Sequence, residues 1–402
     1  MISRPISSRL RRLLNTREMR KLRRDKGALC ALLVIGCYLL IALAVMSNLI
    51  SRQDCTQVIG SNGMPGFFLE ESRERRFENA RTSMLKPVLR ALGHPDPKAA
   101  LADVKLGRWR VAEKSLDELQ QITDDAVALR LILNESENLD EEPQFEARLV
   151  EFERKTADLI KPLSGWDNFM QNAALLLGTD AQGRSIFFRG VYSIKVAIQI
   201  GVVTAIVSVL IGAVLGAAAG YWGGWVDSLI VWLYTTFSSI PNLVLLVVIA
   251  YAFTDSDAKD TLLPVYIAFC STFWIGTCRV IRGETLKLKE QEYIQAAQTA
   301  GFGSWRILFR HVLPNTSHLM LINFSLLLIG AIKSEVILSF LGLGVKSQPS
   351  WGVMIRDAGN NGDVMTGFFW QIGTATAFMF VLVLAFNILS DALQDAFDPK
   401  HL

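Results

Sequence analysis

Long apolar runs alternate with polar segments along the whole chain. Six runs are long enough to cross a lipid bilayer, for which about 20 apolar residues suffice. They occupy residues 28–48, 196–220, 228–253, 262–278, 319–341 and 367–390. Charged side chains are nearly absent inside these runs, apart from Lys333 and Glu335. The pattern predicts an all-α, polytopic membrane protein with six transmembrane helices.

The first run follows a basic segment, residues 1–27, and this combination is also typical of a signal peptide. The run exceeds twenty residues and no small-residue cleavage pattern follows Ile50, so we interpret residues 28–49 as a retained span. The basic residues predict a cytoplasmic N-terminus, and six crossings return the C-terminus to the cytoplasm. A basic terminus could also bind nucleic acid, but a topogenic role explains it here and we expect no nucleic-acid partner.

Residues 50–193 separate the first two runs and are predicted to form an extracytoplasmic insertion with a pre-span segment. A connector of this length without secondary structure would be unusual. Apolar positions at three- to five-residue steps predict amphipathic helices over 111–134 and 145–160, with a break at 138–143. We expect a helical hairpin, which is either a contact surface for an external partner or a solvated insertion without a ligand.

The chemistry-bearing residues do not form a catalytic or metal-binding pattern. Only Cys55 lies outside the apolar runs and their ends, so the external region has no intrachain disulfide partner for it. A phosphate-binding Gly-x-x-x-x-Gly-Lys-Ser/Thr loop, His-Glu-x-x-His, Gly-x-Ser-x-Gly and Cys-x-x-Cys are all absent from the sequence. We therefore expect no enzymatic activity, metal or cofactor in this chain.

Small residues and a proline mark two of the spans. Gly212, Gly216 and Gly220 recur every four residues in the second span, and such spacing lets another helix backbone approach closely. Pro241 predicts a kink in the third span because proline removes a backbone donor. The kink either lines a pathway or fits its neighbours.

Lys333 and Glu335 are candidate pathway residues because a charge inside a span is costly and marks a functional or pairing role. Two residues apart on a helix, they project in different directions. Alternatively, the fifth span ends early and both side chains reach the outer interface.

The polar segment between the fourth and fifth spans, residues 284–315, is longer than a connector requires. We predict one helix over 285–300, closed by Gly301 in the left-handed conformation, and a second over 304–312. Pro314 would then open the fifth span. Small residues leave a shallow face for another protein. A helix lying on lipid is the alternative, but its apolar face is expected to contain few large residues.

The same segment resembles the cytoplasmic "EAA" coupling loop of ABC-importer permeases. The matching residues are Gln295-Ala296-Ala297, Gly301 and Leu313-Pro314, with Glu292-Tyr293 as in peptide permeases. Gln295 replaces the glutamate of the triplet. Four further segments resemble the dipeptide/oligopeptide/nickel branch: 177–185 (LGTDAQGRS), 220–227 (GYWGGWVD), 338–352 (LSFLGLGV and PSWG) and 395–399 (DAFDP). The resemblance covers about residues 176–402, and not residues 51–165.

The resemblance implies a "C"-type permease subunit with its core at 194–402, in a bacterial inner membrane. It implies as partners a second permease, two cytoplasmic ATP-binding subunits that hold ATP and Mg²⁺, and an extracytoplasmic solute-binding protein. Membrane lipid surrounds the spans. The residues implied to contact the ATPases are Glu292, Tyr293, Gln295, Ala296, Ala297, Gly301, Phe302, Ser304 and Pro314.

The expected function is ATP-driven import of di- or oligopeptides by alternating access. Nickel or another small solute is the alternative within this branch. Outside it, a secondary transporter would use intramembrane charges and inverted repeats. A membrane-anchored sensory or scaffolding protein would explain the insertion but not the coupling loop.

Overall fold

A computed structural model describes the chain in several ranges. These are residues 25–56, 105–106, 109–110, 121–122, 124–129, 143–157, 165, 169, 173–174, 176–253, 255–257, 261–345, 348–365 and 367–397. The basic residues 1–24 and most of the predicted break at 138–143 lie outside these ranges, as does the end of the DAFDP segment.

Helices make up almost all of the regular structure in these ranges, so the all-α fold class is confirmed. They are α1 Lys26–Met46, α2 Arg52–Thr56, α3 Pro143–Ala157, α4 Ile186–Trp222, α5 Gly224–Ser238, α6 Asn242–Ala252, α7 Leu263–Thr272, α8 Trp274–Lys289, α9 Glu292–Thr299, α10 Ser304–Ile307, α11 Leu313–Asn315, α12 Ser317–Phe340, α13 Trp351–Asn360 and α14 Trp370–Phe397, with a π-helical turn, Leu308–Val312, between α10 and α11. Two short strands, β1 Lys105–Leu106 and β2 Trp109–Arg110, pair antiparallel.

Five helical stretches are long and apolar enough to cross a membrane on their own. These are α1, α4, α7 with α8 (Leu263–Lys289), α12 and α14. Helices α5 and α6 pass the same test only together, and they are bent by 86° at the break between them. Pro241 is the N-cap of α6, so the predicted kink is a complete break of the third span. The structure therefore contains six spans if this bent pair is one of them.

The chain divides into two compact units. The first comprises Met1–Leu43, Ile194–Val353 and Phe378–Leu402, and the second comprises Ala44–Ser193 and Met354–Ala377. In the first unit, α1 contacts α14 through Ala28 and Ala392, and Tyr38 donates a hydrogen bond of 2.9 Å to the carbonyl of Phe378. The spans carry large exposed apolar side chains, as lipid-facing helices do.

The described part of the insertion belongs to the second unit, and its two predicted helices are present in part, whereas the strands β1 and β2 were not predicted. Residues 121–122 and 124–129 are helical, and α3 covers most of the second predicted helix. Both segments bury apolar side chains, including Leu129 and Phe152. Lys155 of α3 forms an ion pair of 2.8 Å with Asp125.

Candidate functional site

The predicted single helix over 285–300 is wrong, because the chain turns between α8 and α9. Helix α8 ends at Lys289, and Gln291 is extended with ψ at 138° before α9 begins. The turn allows Ile294 and Ala297 to be buried. Burial of these two side chains gives a tertiary reason for a break that the helix-forming residues around it do not indicate.

The coupling segment, residues 284–315, is anchored by one apolar cluster on the first unit. Ile294 and Ala297 of α9 enter this cluster, and Ile307, Leu308 and Val312 enter it from beyond the Gly301 turn. The other members are Ala213, Ala217 and Tyr221 of the second span and Ile281 of the fourth. The segment is therefore packed onto two spans and is not a free loop.

Gly301 closes α9 as predicted, with φ at 78°. Its N–H donates to the carbonyl of Gln298 (3.0 Å), and the N–H of Phe302 donates to the carbonyl of Ala297 (3.1 Å). This pair of bonds is a Schellman C-cap, which needs the left-handed conformation at the glycine position. The turn fixes the angle between the two halves of the coupling segment.

Most of the residues predicted to contact the ATPases lie on the outer surface of this segment. Ala297 does not: it is buried at 7% exposure and supports the surface from within. The exposed members are Glu292, Tyr293, Gln295, Ala296, Gly301, Phe302, Ser304 and Pro314.

Two of these side chains have specific intrachain partners. The side-chain amide of Gln295 donates to the carbonyl of Glu290 (3.2 Å), a bond that an ionised glutamate at this position could not donate. The hydroxyl of Tyr293 accepts a hydrogen bond of 2.8 Å from the side chain of Asn315, linking α9 to α11. Pro314 lies in α11, and the fifth span begins at Ser317, so the prediction that Pro314 opens that span is wrong.

The glycines of the second span lie against α8 at backbone distance. A Cβ atom at Gly212 would be 2.5 Å from the carbonyl oxygen of Trp274, and one at Gly216 would be 2.4 Å from that of Cys278. At Gly220 a Cβ atom would be 2.8 Å from the side chain of Thr285. The approaching helix belongs to the same chain. Because the glycines have no side chains, the second and fourth spans approach closely and pack tightly together.

The two charged residues of the fifth span have different surroundings. Lys333 is exposed, whereas Glu335 is 1% exposed. Ser339 donates a hydrogen bond of 2.6 Å to Glu335 Oε1, and the side chain of Ser350 is a second partner. Helix α12 continues to Phe340, so both residues lie within it. Among the described residues, no hydrogen bond or ion pair joins Lys333 or Glu335 to Pro241.

The sequence did not predict an exposed aromatic surface that the structure shows beyond the Gly301 turn. Trp305 and Phe309 are 60% and 54% exposed, although this segment was expected to contain few large apolar residues on its face. The sequence shows that residues 302–309 contain several aromatic side chains. Which of them are exposed depends on the π-helical turn, and the sequence does not predict that turn.

A buried ring of ion pairs in the second unit was also missed. Asp180 and Asp357 each pair with both Arg184 and Arg189, so four ion pairs close a ring of two carboxylates and two guanidinium groups. Arg184 contacts Asp180 at 2.8 Å and Asp357 at 2.9 Å, and Arg189 contacts Asp357 at 2.8 Å. Asp180 also accepts two backbone N–H bonds, from Gln182 and Arg184. The ring has no net charge.

The ring fixes the start of the second span to α13. Asp180 and Arg184 precede α4, Arg189 lies in its first turns, and Asp357 lies in α13. Nearby, burial raises the pKa of the Asp363 carboxyl, and the negative charge of Asp180 adds to this effect. The LGTDAQGRS segment therefore has a structural role: Arg184 contacts α13 through Asp357, and Asp180 holds both arginines of the ring.

Comparisons with known proteins agree with the motifs. Residues 212–401 match the family described as the binding-protein-dependent transport system inner membrane component. The chain is similar to the dipeptide transport system permease protein DppC of Bacillus subtilis, with 34% identity over 234 residues, 58% of this chain and 71% of that protein. It is 36% identical to the oligopeptide transport system permease protein OppC of Escherichia coli K12 over 224 residues, 56% and 72% of the two chains. It is 35% identical to the glutathione transport system permease protein GsiD of Pectobacterium atrosepticum over 230 residues, 57% and 74%.

The match to these relatives covers 71–74% of their length, and the family match at 212–401 includes the coupling segment. The chain therefore belongs to the inner membrane components of binding-protein-dependent transport systems, as a C-type permease of the dipeptide and oligopeptide ABC-importer branch.

Proposed function

We propose that this chain is the translocation subunit of an ATP-driven importer of di- or oligopeptides in a bacterial cytoplasmic membrane. It pairs with a second permease, and the coupling segment at 284–315 is the docking site for an ATPase. Family membership supports the importer class. The names of the relatives, which are dipeptide, oligopeptide and glutathione permeases, support a peptide as the substrate.

The single observation that carries the docking role is the construction of the coupling segment. Its inner side is packed on the second and fourth spans through one apolar cluster, while α9 presents small and polar side chains outward. A partner that moves α9 therefore moves these spans, because close-packed side chains transmit displacement. A loop without such packing would bend instead.

The remaining partners follow from the same class of transporter. Two ATP-binding subunits would hold ATP and Mg²⁺, and this chain would contribute no cofactor site of its own. A solute-binding protein would deliver the peptide from outside, with both termini of this chain in the cytoplasm. The basic residues before the first span and in the coupling segment support this orientation.

The alternatives explain fewer of the observations. A nickel importer is not favoured, because the relatives reported above are peptide and glutathione permeases. A secondary transporter or a sensory protein gives no reason for a packed segment that presents a polar outer face.

The docking role is tested by changing the conformation of the Gly301 turn without crowding it. A Cβ atom meets nothing within 4 Å at either Gly301 or Gly303, but only Gly301 has a positive φ. Gly301→Val should therefore strain the turn, since a β-branched residue disfavours the left-handed conformation, whereas Gly303→Val is its matched control. The measurements are ATP-dependent peptide uptake, co-purification of the ATPase, and the amount of permease in the membrane.

We expect Gly301→Val to reach the membrane but to lose at least about tenfold of uptake and of ATPase retention, a loss equivalent to about 1.4 kcal/mol of docking free energy. Gly303→Val should keep both within a factor of about two, equivalent to about 0.4 kcal/mol. Unimpaired uptake and retention in Gly301→Val would refute the docking role of this segment.

A further inference from the structure

The part of the coupling segment after the Gly301 turn has a second exposed surface that differs from that of α9. We call it the aromatic–arginine face and define it by Trp305, Arg306, Phe309 and Arg310. All four side chains are exposed. The residues on the opposite side, Ile307, Leu308 and Val312, are fully buried. The segment is thus an amphipathic turn whose outer side combines large aromatic rings with cations.

Ring contacts place this face at the depth of the membrane surface. Trp305 packs edge-on against Trp222 with ring centroids 4.7 Å apart, and it stacks on Phe309 at 5.9 Å. Trp222 is the last residue of the second span, two residues beyond the apolar run that ends at Gly220. Because Trp222 lies where that run meets polar sequence, Trp305 lies at the same boundary.

The cations of the face are not neutralised by the part of the chain that the structure describes. The guanidinium carbon of Arg306 lies 5.7 Å from the centroid of the Phe302 ring, and both side chains are exposed. Within the described ranges, no carboxylate forms an ion pair with Arg306 or Arg310. By contrast, Lys287 at the end of the fourth span pairs with Glu284 at 3.0 Å.

We propose that the aromatic–arginine face binds the headgroups of anionic phospholipids at the surface of the bilayer. Tryptophan and phenylalanine rings favour the headgroup region, and guanidinium groups bind phosphate through paired hydrogen bonds. The depth set by Trp222 favours lipid over an ATPase, which would approach the polar face of α9 from the aqueous side. Anionic lipid would then hold the second half of the coupling segment while the first half follows the ATPase.

Quenching by brominated lipid tests the proposal on the full chain in nanodiscs, without nucleotide or ATPase. Brominated phosphatidylglycerol or brominated phosphatidylcholine is titrated into a phosphatidylcholine bilayer. The Trp305 signal is the difference between wild type and Trp305→Phe, a change that keeps an aromatic ring. We expect brominated phosphatidylglycerol to quench this signal at a lower mole fraction than brominated phosphatidylcholine.

A charge-matched pair of double variants separates specific binding from general attraction. A charge-assisted hydrogen bond is worth a factor of at least about ten, so removal of the paired guanidinium–phosphate bonds in Arg306→Gln with Arg310→Gln should raise the half-quenching fraction of phosphatidylglycerol by about tenfold or more, or prevent saturation. Lys287→Gln with Lys289→Gln removes the same net charge and should change it less than twofold.

Three results would overturn the proposal. The first is equal quenching by the two brominated lipids. The second is an unchanged half-quenching fraction in the double arginine variant. The third is evidence that the ATPase binds the aromatic–arginine face: added ATPase protects Trp305 from the lipid quencher, and the double arginine variant loses ATPase binding. Quenching needs neither nucleotide nor transport, so the lipid proposal can be refuted while the proposed importer function holds. Equally, the importer function can be refuted while the lipid proposal holds.

Discussion

The ring formed by Asp180, Arg184, Arg189 and Asp357 predicts a large loss of stability when a single member is removed. Arg189 and Asp180 have 2% and 0% of their side chains exposed, whereas Arg184 and Asp357 keep 17% and 16%. Arg189→Met leaves the ring with one uncompensated negative charge beside the most buried carboxylate. Breaking a buried pair in this way costs about 3–5 kcal/mol.

Thermal unfolding of the purified chain measures this cost as a shift in Tm. For a unit of about 150–250 residues, 1 kcal/mol corresponds to about 2–4 °C. We therefore expect Arg189→Met to lower the Tm by at least about 6 °C. Lys155→Met in the same unit is the control, because its ion pair with Asp125 has side chains 33% and 41% exposed. An exposed pair contributes about 0–1 kcal/mol, so Lys155→Met should lower the Tm by no more than about 4 °C.

A double-mutant cycle tests whether the four residues act as one neutral ring. Asp357→Asn restores neutrality to the Arg189→Met variant, so the two changes together should destabilise less than their sum. The expected coupling for residues in one network is about 0.5–3 kcal/mol. Additive effects, or a Tm for Arg189→Met within about 1 °C of wild type, would refute the reasoning from burial and charge.

Two further predictions concern the packing of the spans and the reactivity of thiols. Gly216→Ala should lower the Tm, because its Cβ would lie 2.4 Å from the carbonyl oxygen of Cys278 and overpacking costs about 1–3 kcal/mol. Gly276→Ala is the control, since a Cβ there meets nothing within 4 Å, and its Tm should not fall. Equal Tm values for the two variants would contradict the close approach of the helices. Burial raises the pKa of the Cys55 thiol to about 12, so the thiol stays protonated at pH 8. It should react with a water-soluble maleimide far more slowly than the thiol introduced by Ser304→Cys on the exposed coupling segment. Comparable labelling rates would contradict the burial of Cys55.

Hydrophobic patterning located the spans because lipid imposes one rule on every membrane-crossing helix: its side chains are apolar over about 20 residues. The same rule could not show that the third span breaks by 86° at Pro241. A proline removes one hydrogen bond, but the size of the resulting angle depends on what packs on each side. Periodicity along one helix contains no information about that packing.

The coupling segment shows the same limit at closer range. Gly301 was identifiable because a positive φ selects glycine through local sterics. The turn between Lys289 and Glu292 was not, because it depends on the burial of Ile294 and Ala297 in a cluster with residues of other spans. Likewise, Asp180 and Arg184 lie four residues apart, but Asp357, the second partner of Arg184, is 173 positions away and no local pattern indicates it.

The close glycine contact between the second and fourth spans has a mechanical consequence for the coupling segment. Between the second and fourth spans, the glycines bring backbone against backbone, with only the short side chains of Thr277 and Thr285 beside them, so little slack remains to absorb a displacement. Helix α9 joins the fourth span through only two residues and shares an apolar cluster with the second span. A force applied to α9 therefore reaches both spans together, and they must move as one body unless the glycine contact opens. Opening that contact would expose unpacked backbone over three successive helical turns, so sliding or tilting of the pair as a whole is the motion that the packing favours.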